Sequence, residues 1–511
     1  MTRGLSIFVR DNLEAFAVAI ALALIVRHYS LEAFRIPSKS MMPTLVGADT
    51  GGDRILVDKG RWLRHDPARW EPTVFQYPLN RSKNFIKRMV GMPGETLKIE
   101  DGDIWTSRGG ADFGIERKPE GPQEALFFPY YPEPVEQRDY FANRRERNWE
   151  GLGWEIDERG GRFAVDATGK VTLRFLADVL QYRSEGVWGN ALLPEYKKGD
   201  GAAGDLRVRF DLGVERAGTF AIELTEHALA RRLVLAPQGS YATVANMDGT
   251  EERFPVDVRL GEGAYAVSFA NVDDSLVIAI EGDADFRKTF AFSSKGDAEQ
   301  RAADERHVAD ADTEAARIES QDPKEAARLR GEAEALRRKL AAGRTRVAFE
   351  ADGLKATLKD VRIDRDVHYT IDSTHDQRLR HGLEIPEGHY FMLGDNTLSS
   401  KDSRAWQIAD VTMKDGTRIR WEEAHALHMG DVPGQPEADF DIDGPDRVIE
   451  VKADVDGLVR RFHTSDVELV ERNVPYGFVS EDHLVGRAFA IFWPIHVWPV
   501  VKQGTRIGLI R

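Results

Sequence analysis

Leu206, Val208, Phe210 and Leu212 alternate with Arg207, Arg209 and Asp211. A period of two fits an extended strand with one face buried and the other in water, and no helix. Phe220–Leu224, Tyr265–Phe269 and Leu276–Ile280 continue the series, separated by Gly and Asp turns. Strands at this spacing predict an antiparallel β-sandwich over about residues 160–296, completed within 344–370 by Val347–Phe349 and Leu358–Ile363. Residues 297–342 break the pattern with Ala, Glu, Arg and Leu, and Asp322 precedes Pro323 at a position suited to a new helix start. A helical hairpin protruding from the sandwich is expected there. Both of its faces are mostly charged, which suits a solvated spacer more than a partner-binding arm. Residues 119–160, rich in Pro and in aromatics (Phe127, Phe128, Tyr130, Tyr131, Trp149, Trp154), read as ordered loop.

The 511 residues allow about three domains. A formal net charge of −15 argues against nucleic acid as a partner, because a phosphate-binding surface needs clustered Lys and Arg. The absence of cysteine excludes disulfides, cysteine-rich metal sites and a thiol nucleophile. It does not identify the compartment.

Near the start, Leu13 to Val26 is apolar except for Glu14, with Arg27 and His28 closing the segment. Its uninterrupted apolar run of 12 residues is shorter than the roughly 20 of an ordinary spanning helix. A cleavable signal peptide lacks its small-residue cleavage site here. A buried core helix and a short or tilted membrane anchor remain, and the anchor is preferred, with Phe8 and Val9 extending it and Arg27 reaching toward the interface.

Three stretches carry candidate chemistry. In Arg35-Ile36-Pro37-Ser38-Lys39-Ser40-Met41-Met42-Pro43-Thr44-Leu45, two prolines fix their own φ and extend the residues before them, which puts Ser40 on a stiff, non-helical segment. In Phe85-Ile86-Lys87-Arg88-Met89-Val90-Gly91-Met92-Pro93-Gly94-Glu95, a strand carries Lys87 into apolar surroundings. The third runs from Met392-Leu393-Gly394-Asp395-Asn396 through Ser400-Lys401-Asp402-Ser403-Arg404. An unassisted serine hydroxyl is a poor nucleophile, and a lysine kept neutral by burial can serve as its base. None of the 13 histidines falls in a recognisable triad motif.

In their order, and behind an apolar segment, these stretches resemble the boxes of bacterial signal peptidase I, a membrane-bound serine–lysine protease. The resemblance covers roughly 34–100, 386–406 and 476–511. It implies Ser40 as nucleophile, Lys87 as general base, Ser38 as oxyanion-hole donor with the Ser40 N–H, and Ser400 as the group that orients the lysine. Asp402 and Arg404 would support the site structurally. It further implies an extended substrate added as a strand, with Phe34, Ile36, Met41, Leu45, Phe85 and Ile86 lining shallow pockets for small residues. The partners would be signal peptides of exported preproteins and the lipid bilayer, with no cofactor and no metal. The protein would be single-pass in the cell membrane, with its N-terminus inside and its catalytic domain on the extracytoplasmic side.

The fold expected is therefore mainly β: a transmembrane helix (1–30), an antiparallel catalytic β domain (31–106, 386–406, 476–511), an insertion at 107–385 holding sandwich and hairpin, and a second insertion at 407–475. The partner of the insertions is unknown from sequence, although Ala270–Asp274 through Glu281–Asp283 faintly resembles jelly-roll, lectin-like modules. Aromatic residues near the end, Trp493 and Trp498, suit either a headgroup-facing surface or a core. Two departures from the family pattern stand out. Lys39 occupies a position usually held by a small residue, and Ala48–Gly51 are additional. A surface binding module on a protease-like scaffold is the competing function. A soluble self-cleaving repressor would need a DNA-binding segment where this chain has an apolar one.

Overall fold

The computed structural model describes residues 30–48, 52–132, 148–176, 179–188, 193–226, 229–319, 322–341, 346–372, 375–422, 426–428, 448–451, 455, 458–493 and 508–510, and, before them, 12, 15, 16 and 18–20. The apolar segment proposed as an anchor therefore falls largely outside the described residues, as does Trp498. Among the described residues no helix is long and apolar enough to cross a membrane.

One antiparallel sheet gathers residues from both ends of the chain. Its order is Leu31–Arg35, Arg54–Asp58, Leu484–Trp493, Pro72–Tyr77, Asn80–Gly91, His389–Leu393 and Phe478–Ser480, with Gly508–Leu509 added beside Leu484–Trp493. Both faces of this sheet are covered. Ile55, Val57, Val74 and Ile86 pack on one side with Ile36, Met41 and Leu45. Phe75, Tyr77, Met89 and Met392 pack on the other with Trp406. Burial on both sides explains why these strands read as nearly continuous apolar runs.

Thr96–Glu100 and Asp103–Ser107 form a hairpin at the edge of this body. Its turn places Asp101 at φ 53° and Gly102 at φ 96°, the left-handed pair that a two-residue hairpin demands and Asp-Gly supplies. Behind it a third apolar cluster joins Val90, Leu97, Phe391 and Leu393 to Leu126, Phe128, Val367, Tyr369 and Leu383.

Between these halves lie two further antiparallel sheets. One runs Trp154–Asp157, Arg162–Asp166, Lys355–Arg365, Leu206–Arg216, Gly263–Val272, Ser275–Gly282 and Phe286–Ala291, with Phe128–Tyr131 beside Lys355–Arg365. The other runs Glu251–Val256, Ser240–Ala245, Leu229–Leu235, Thr219–Glu226, Arg346–Asp352, Val171–Phe175 and Trp149–Glu150. They share one large core. At its centre Trp149 lies stacked against Phe349, 5.4 Å between ring centroids, with Phe349 also edge-on to Phe210. The alternation in Leu206–Leu212 holds on the inner face, while Arg207 is buried on the outer one because Asp364 accepts from its Nε at 2.9 Å.

Helices Lys295–Ile318 and Pro323–Ala341 leave this pair of sheets together. The Asp322 Oδ1 accepts from Glu325 N at 3.1 Å, capping a helix that begins at Pro323. Their buried side chains include Ala311, Ala315, Ala326 and Ala333, and Arg330 pairs with Glu319 across the turn.

Residues 407–475 build two small sheets around Val411, Trp421, Ile449 and Phe462. One of their strands is Arg460–His463.

One sequence expectation needs correction. Residues 119–160 are not simply loop. Glu120–Leu126 is helical, and Phe128–Tyr131, Trp149–Glu150 and Trp154–Asp157 are strands. The aromatics read as loop decoration enter two cores. At the edge of the part expected as an insertion, Leu126, Phe128, Val367, Tyr369, Leu379 and Leu383 pack with Val90, Leu97, Phe391 and Leu393.

Candidate active site

Ser40 sits on one 3-10 turn, Lys39–Met41, with its backbone held from several sides. Met41 is fully buried and anchors the turn, and its carbonyl accepts from Leu45 N at 2.8 Å. Ahead of the turn, Ile36 N donates to Asp53 O at 2.9 Å. Behind it, Val46 N donates to the buried Asp53 Oδ2 at 2.7 Å. Gly47 fits this closed loop only because it lacks a side chain: a Cβ there would lie 1.7 Å from Ser38 O.

Lys87 projects from the strand Asn80–Gly91 and is buried, as is Ser40. Its Nζ hydrogen-bonds Ser40 Oγ. Phe85, two residues earlier on the same strand face, places its ring centroid 5.9 Å from that nitrogen. Burial pushes the Lys87 ammonium down to about 8, against the pull of Asp402 and Asp395 and with help from Arg404. Ser38 is exposed, with its Oγ 3.4 Å from that of Ser40. The Lys39 side chain is exposed rather than folded onto the site.

The turn Gly394-Asp395-Asn396 braces both residues. Asn396 N donates to Ser40 O at 3.1 Å, and its Nδ2 donates to Lys39 O at 3.0 Å. Arg88 and Asp395, neither with exposed side-chain surface, form a two-pronged pair at 2.9 and 2.7 Å, and Thr44 Oγ1 donates to Asp395 Oδ2 at 2.5 Å. Sequence reasoning quoted Gly394, Asp395, Asn396 and Arg88 but gave them no role. Gly394 has no room for a side chain, since a Cβ would lie 2.1 Å from Ser400 Oγ and 2.5 Å from Ser40 O. Asp402 and Arg404 form a second buried pair, at 2.9 and 2.8 Å. Asp402 also accepts from Gly394 N at 2.9 Å, and Arg404 donates to Thr397 O at 3.0 Å. Arg404 holds the Asp402 carboxyl below the usual carboxylate range despite burial.

Two placements differ from those implied by the resemblance. Ser400 lies against Gly394, but its buried hydroxyl has no hydrogen-bond partner, so the bond to Lys87 is not formed. The six residues assigned to substrate pockets do not share one surface. Phe85 and Ile86 are consecutive in a strand and face opposite sides, Phe85 stacking on Tyr77 at 4.3 Å and Ile86 joining Ile36 and Met41. Met41 and Leu45 have no exposed surface and act as core, leaving Phe34 half-buried at the rim.

The family described as "Signal peptidase, peptidase S26" matches residues 9–142 and 326–418. Over those stretches the chain is similar to signal peptidases I. "Probable signal peptidase I-1" of Synechocystis sp. is 33% identical over 105 residues, 19% of this chain and 52% of that protein. "Signal peptidase I" of Aquifex aeolicus is 40% identical over 90 residues, 18% and 33% of the two chains. That of Pseudomonas aeruginosa is 37% identical over 97 residues, 17% and 33%. The chain thus spans between a third and about half of the length of these signal peptidases. Among solved structures, the VIP36 exoplasmic/lumenal domain covers 44% of this chain at 8% identity, with a TM-score of 0.24. The carbohydrate binding module CBM66 from Bacillus subtilis covers 42% at 10% identity, with a TM-score of 0.21.

Proposed function

We propose that this protein is a signal peptidase I, a membrane-anchored endopeptidase that cuts signal peptides from exported preproteins after small residues, using Ser40 and Lys87 as a catalytic dyad. The observation that supports it most is the Lys87–Ser40 hydrogen bond in a buried, aromatic-flanked setting. In the neutral form Lys87 accepts the Ser40 proton as Oγ attacks the scissile carbonyl carbon. The resulting ammonium then protonates the departing amine, and water, deprotonated by the same nitrogen, releases the acyl group. The Ser38 hydroxyl and the Ser40 N–H donate to the developing oxyanion, an arrangement worth on the order of 10²–10³ in rate per donor in other serine hydrolases. Ser400 takes the part of orienting Lys87, for which its unpartnered hydroxyl is available.

The substrate lies extended against the catalytic sheet, with the half-buried Phe34 at the edge of the apolar surface that favours small residues. The segment Leu13–Val26 anchors the chain once through the cell membrane and leaves the catalytic domain on the extracytoplasmic side. The two inserted sheets form a β-sandwich module. No cofactor is required by this mechanism.

Cleavage of a preprotein by the detergent-purified chain tests the reading. Activity should climb through pH 8 as Lys87 loses its proton and vanish in Ser40→Ala and Lys87→Ala. Undiminished cutting by Ser40→Ala would exclude the dyad, and no cleavage by the parent would leave the binding-module reading as the one to pursue.

A further inference from the structure

Where the inserted sheets meet the catalytic body, carboxylates from separate parts of the chain converge. Asp103 opens the strand Asp103–Ser107 of the catalytic body. Asp205 immediately precedes Leu206–Arg216, and Asp273 sits in the turn between Gly263–Val272 and Ser275–Gly282. Asp366 follows Lys355–Arg365, where the chain returns. Lys118 is the cation that faces them. Its Nζ pairs with Asp273 Oδ1 and lies 2.8 Å from Asp366 Oδ2, above the Trp70 ring. One lysine does not balance four gathered aspartates, and Glu226 stands beside them. Burial and mutual repulsion hold the carboxyls of Asp103 and Asp205 well above the usual carboxylate range.

Two observations point to a missing cation. Oxygens of Asp103, Asp205 and Asp273 all lie within 4.8 Å of one another. That is the span available to oxygens that each sit about 2.4 Å from a calcium ion. Asn271, only 2% exposed, adjoins the group, its Nδ2 donating to Asp205 Oδ1 at 3.3 Å and to Glu226 Oε2 at 2.7 Å. The buried Oδ1 of that carboxamide has no hydrogen-bond partner. The remaining bonds keep the carboxylates in place without neutralising them. Asp273 N donates to Asp205 Oδ2 at 2.8 Å, Lys118 N to Asp273 Oδ2 at 2.9 Å, and Gln123 Nε2 to Asp366 Oδ1 at 3.1 Å.

We propose that Asp103, Asp205 and Asp273, beside the buried Asn271 carboxamide, hold a divalent cation of the calcium class that fastens the inserted sheets to the catalytic body. Hard carboxylate oxygens in an irregular set suit calcium better than magnesium, which demands a tighter octahedron. Asp103 and Asp205 are half-buried, which leaves an entry path, while Asp273 is buried. Lys118 remains paired with Asp273 and Asp366.

The test uses the full chain in detergent, stripped with EDTA and titrated with calcium chloride, with magnesium chloride alongside. One calcium per chain by calorimetry and a melting temperature raised by several degrees are expected, with magnesium far weaker. Asp205→Asn and Asp103→Asn keep the side-chain shape, remove one charge each, and should melt no lower than the parent in EDTA while losing the calcium response. Asp103 lies on the catalytic side of the junction and Asp205 on the inserted side, so one folded variant suffices. A parent indifferent to calcium, or a folded variant that responds as the parent does, overturns the site. So does stabilisation by acid alone, which would mean that protons balance the carboxylates.

Discussion

Lys87, the proposed base, is buried at the expense of stability. In the unfolded chain its ammonium holds a proton up to about 10.5, and in the folded one only to about 8. Below pH 8 both states are charged and folding bears the full cost of burying that charge, about 3 kcal/mol. Between pH 8 and 10.5 the unfolded state binds the extra proton, so stability rises with pH, and above that window the cost is gone. Lys87→Met should therefore melt higher than the parent at pH 7, converge with it as pH approaches 10.5, and cleave nothing at any pH. A melting difference that stays constant across that range would show that the lysine is not titrating as described.

Among the connecting elements, the loop between Ile36 and Asp53 shows what sequence reading can and cannot reach. The prolines beside Ser40 and the Gly-Asp turn after Met392 were legible because each motif is contiguous. The role of Gly47 was not, since its requirement arises from a backbone atom nine residues earlier that approaches only once Asp53 closes the loop. Gly47→Ala should displace Ser38 and Ser40 by enough to cost at least about 100-fold in cleavage, with far-UV circular dichroism unchanged. An Ala variant as active as the parent would mean that the loop is free to move aside. The same limit explains Phe85 and Ile86. The resemblance implied both as pocket residues, but the pleat of the strand sends them to opposite sides of the sheet. Alternation and short apolar runs located six of the fifteen strands of the inserted sheets among the described residues. The aromatics of 119–160 have no such period, and their strands are only 2 to 4 residues long, so only packing reveals them.

Across the whole molecule, the boundary between catalytic body and insertion decides how the chain can be cut. Residues 107–385 were expected as one insertion, and within that range Leu126, Phe128, Val367, Tyr369 and Leu383 complete a core with Val90 and Phe391. Replacing 132–362 with a short linker should leave a soluble protein that still cleaves, whereas deleting 107–385 should leave a chain that aggregates. Equal behaviour of the two truncations would show that this core is dispensable. The acidic junction escaped sequence analysis for a related reason, since its members are scattered from Asp103 to Asp366 and converge only in the folded chain. The route of the chain also sets an order in time. The inserted sheets are joined largely by neighbouring strands, such as Gly263–Val272 with Ser275–Gly282. The bonds that assemble the nucleophile's surroundings span 307 residues from Arg88 to Asp395 and 351 from Thr44 to Asp395. Contacts that close long loops form late. Pulse-labelled hydrogen exchange during refolding should protect Gly263–Gly282 before Arg54–Asp58. On the proposed reading, Ser40 is made early in translation but stays inert until a segment some 350 residues later has left the ribosome, so the nascent chain would be spared from its own activity.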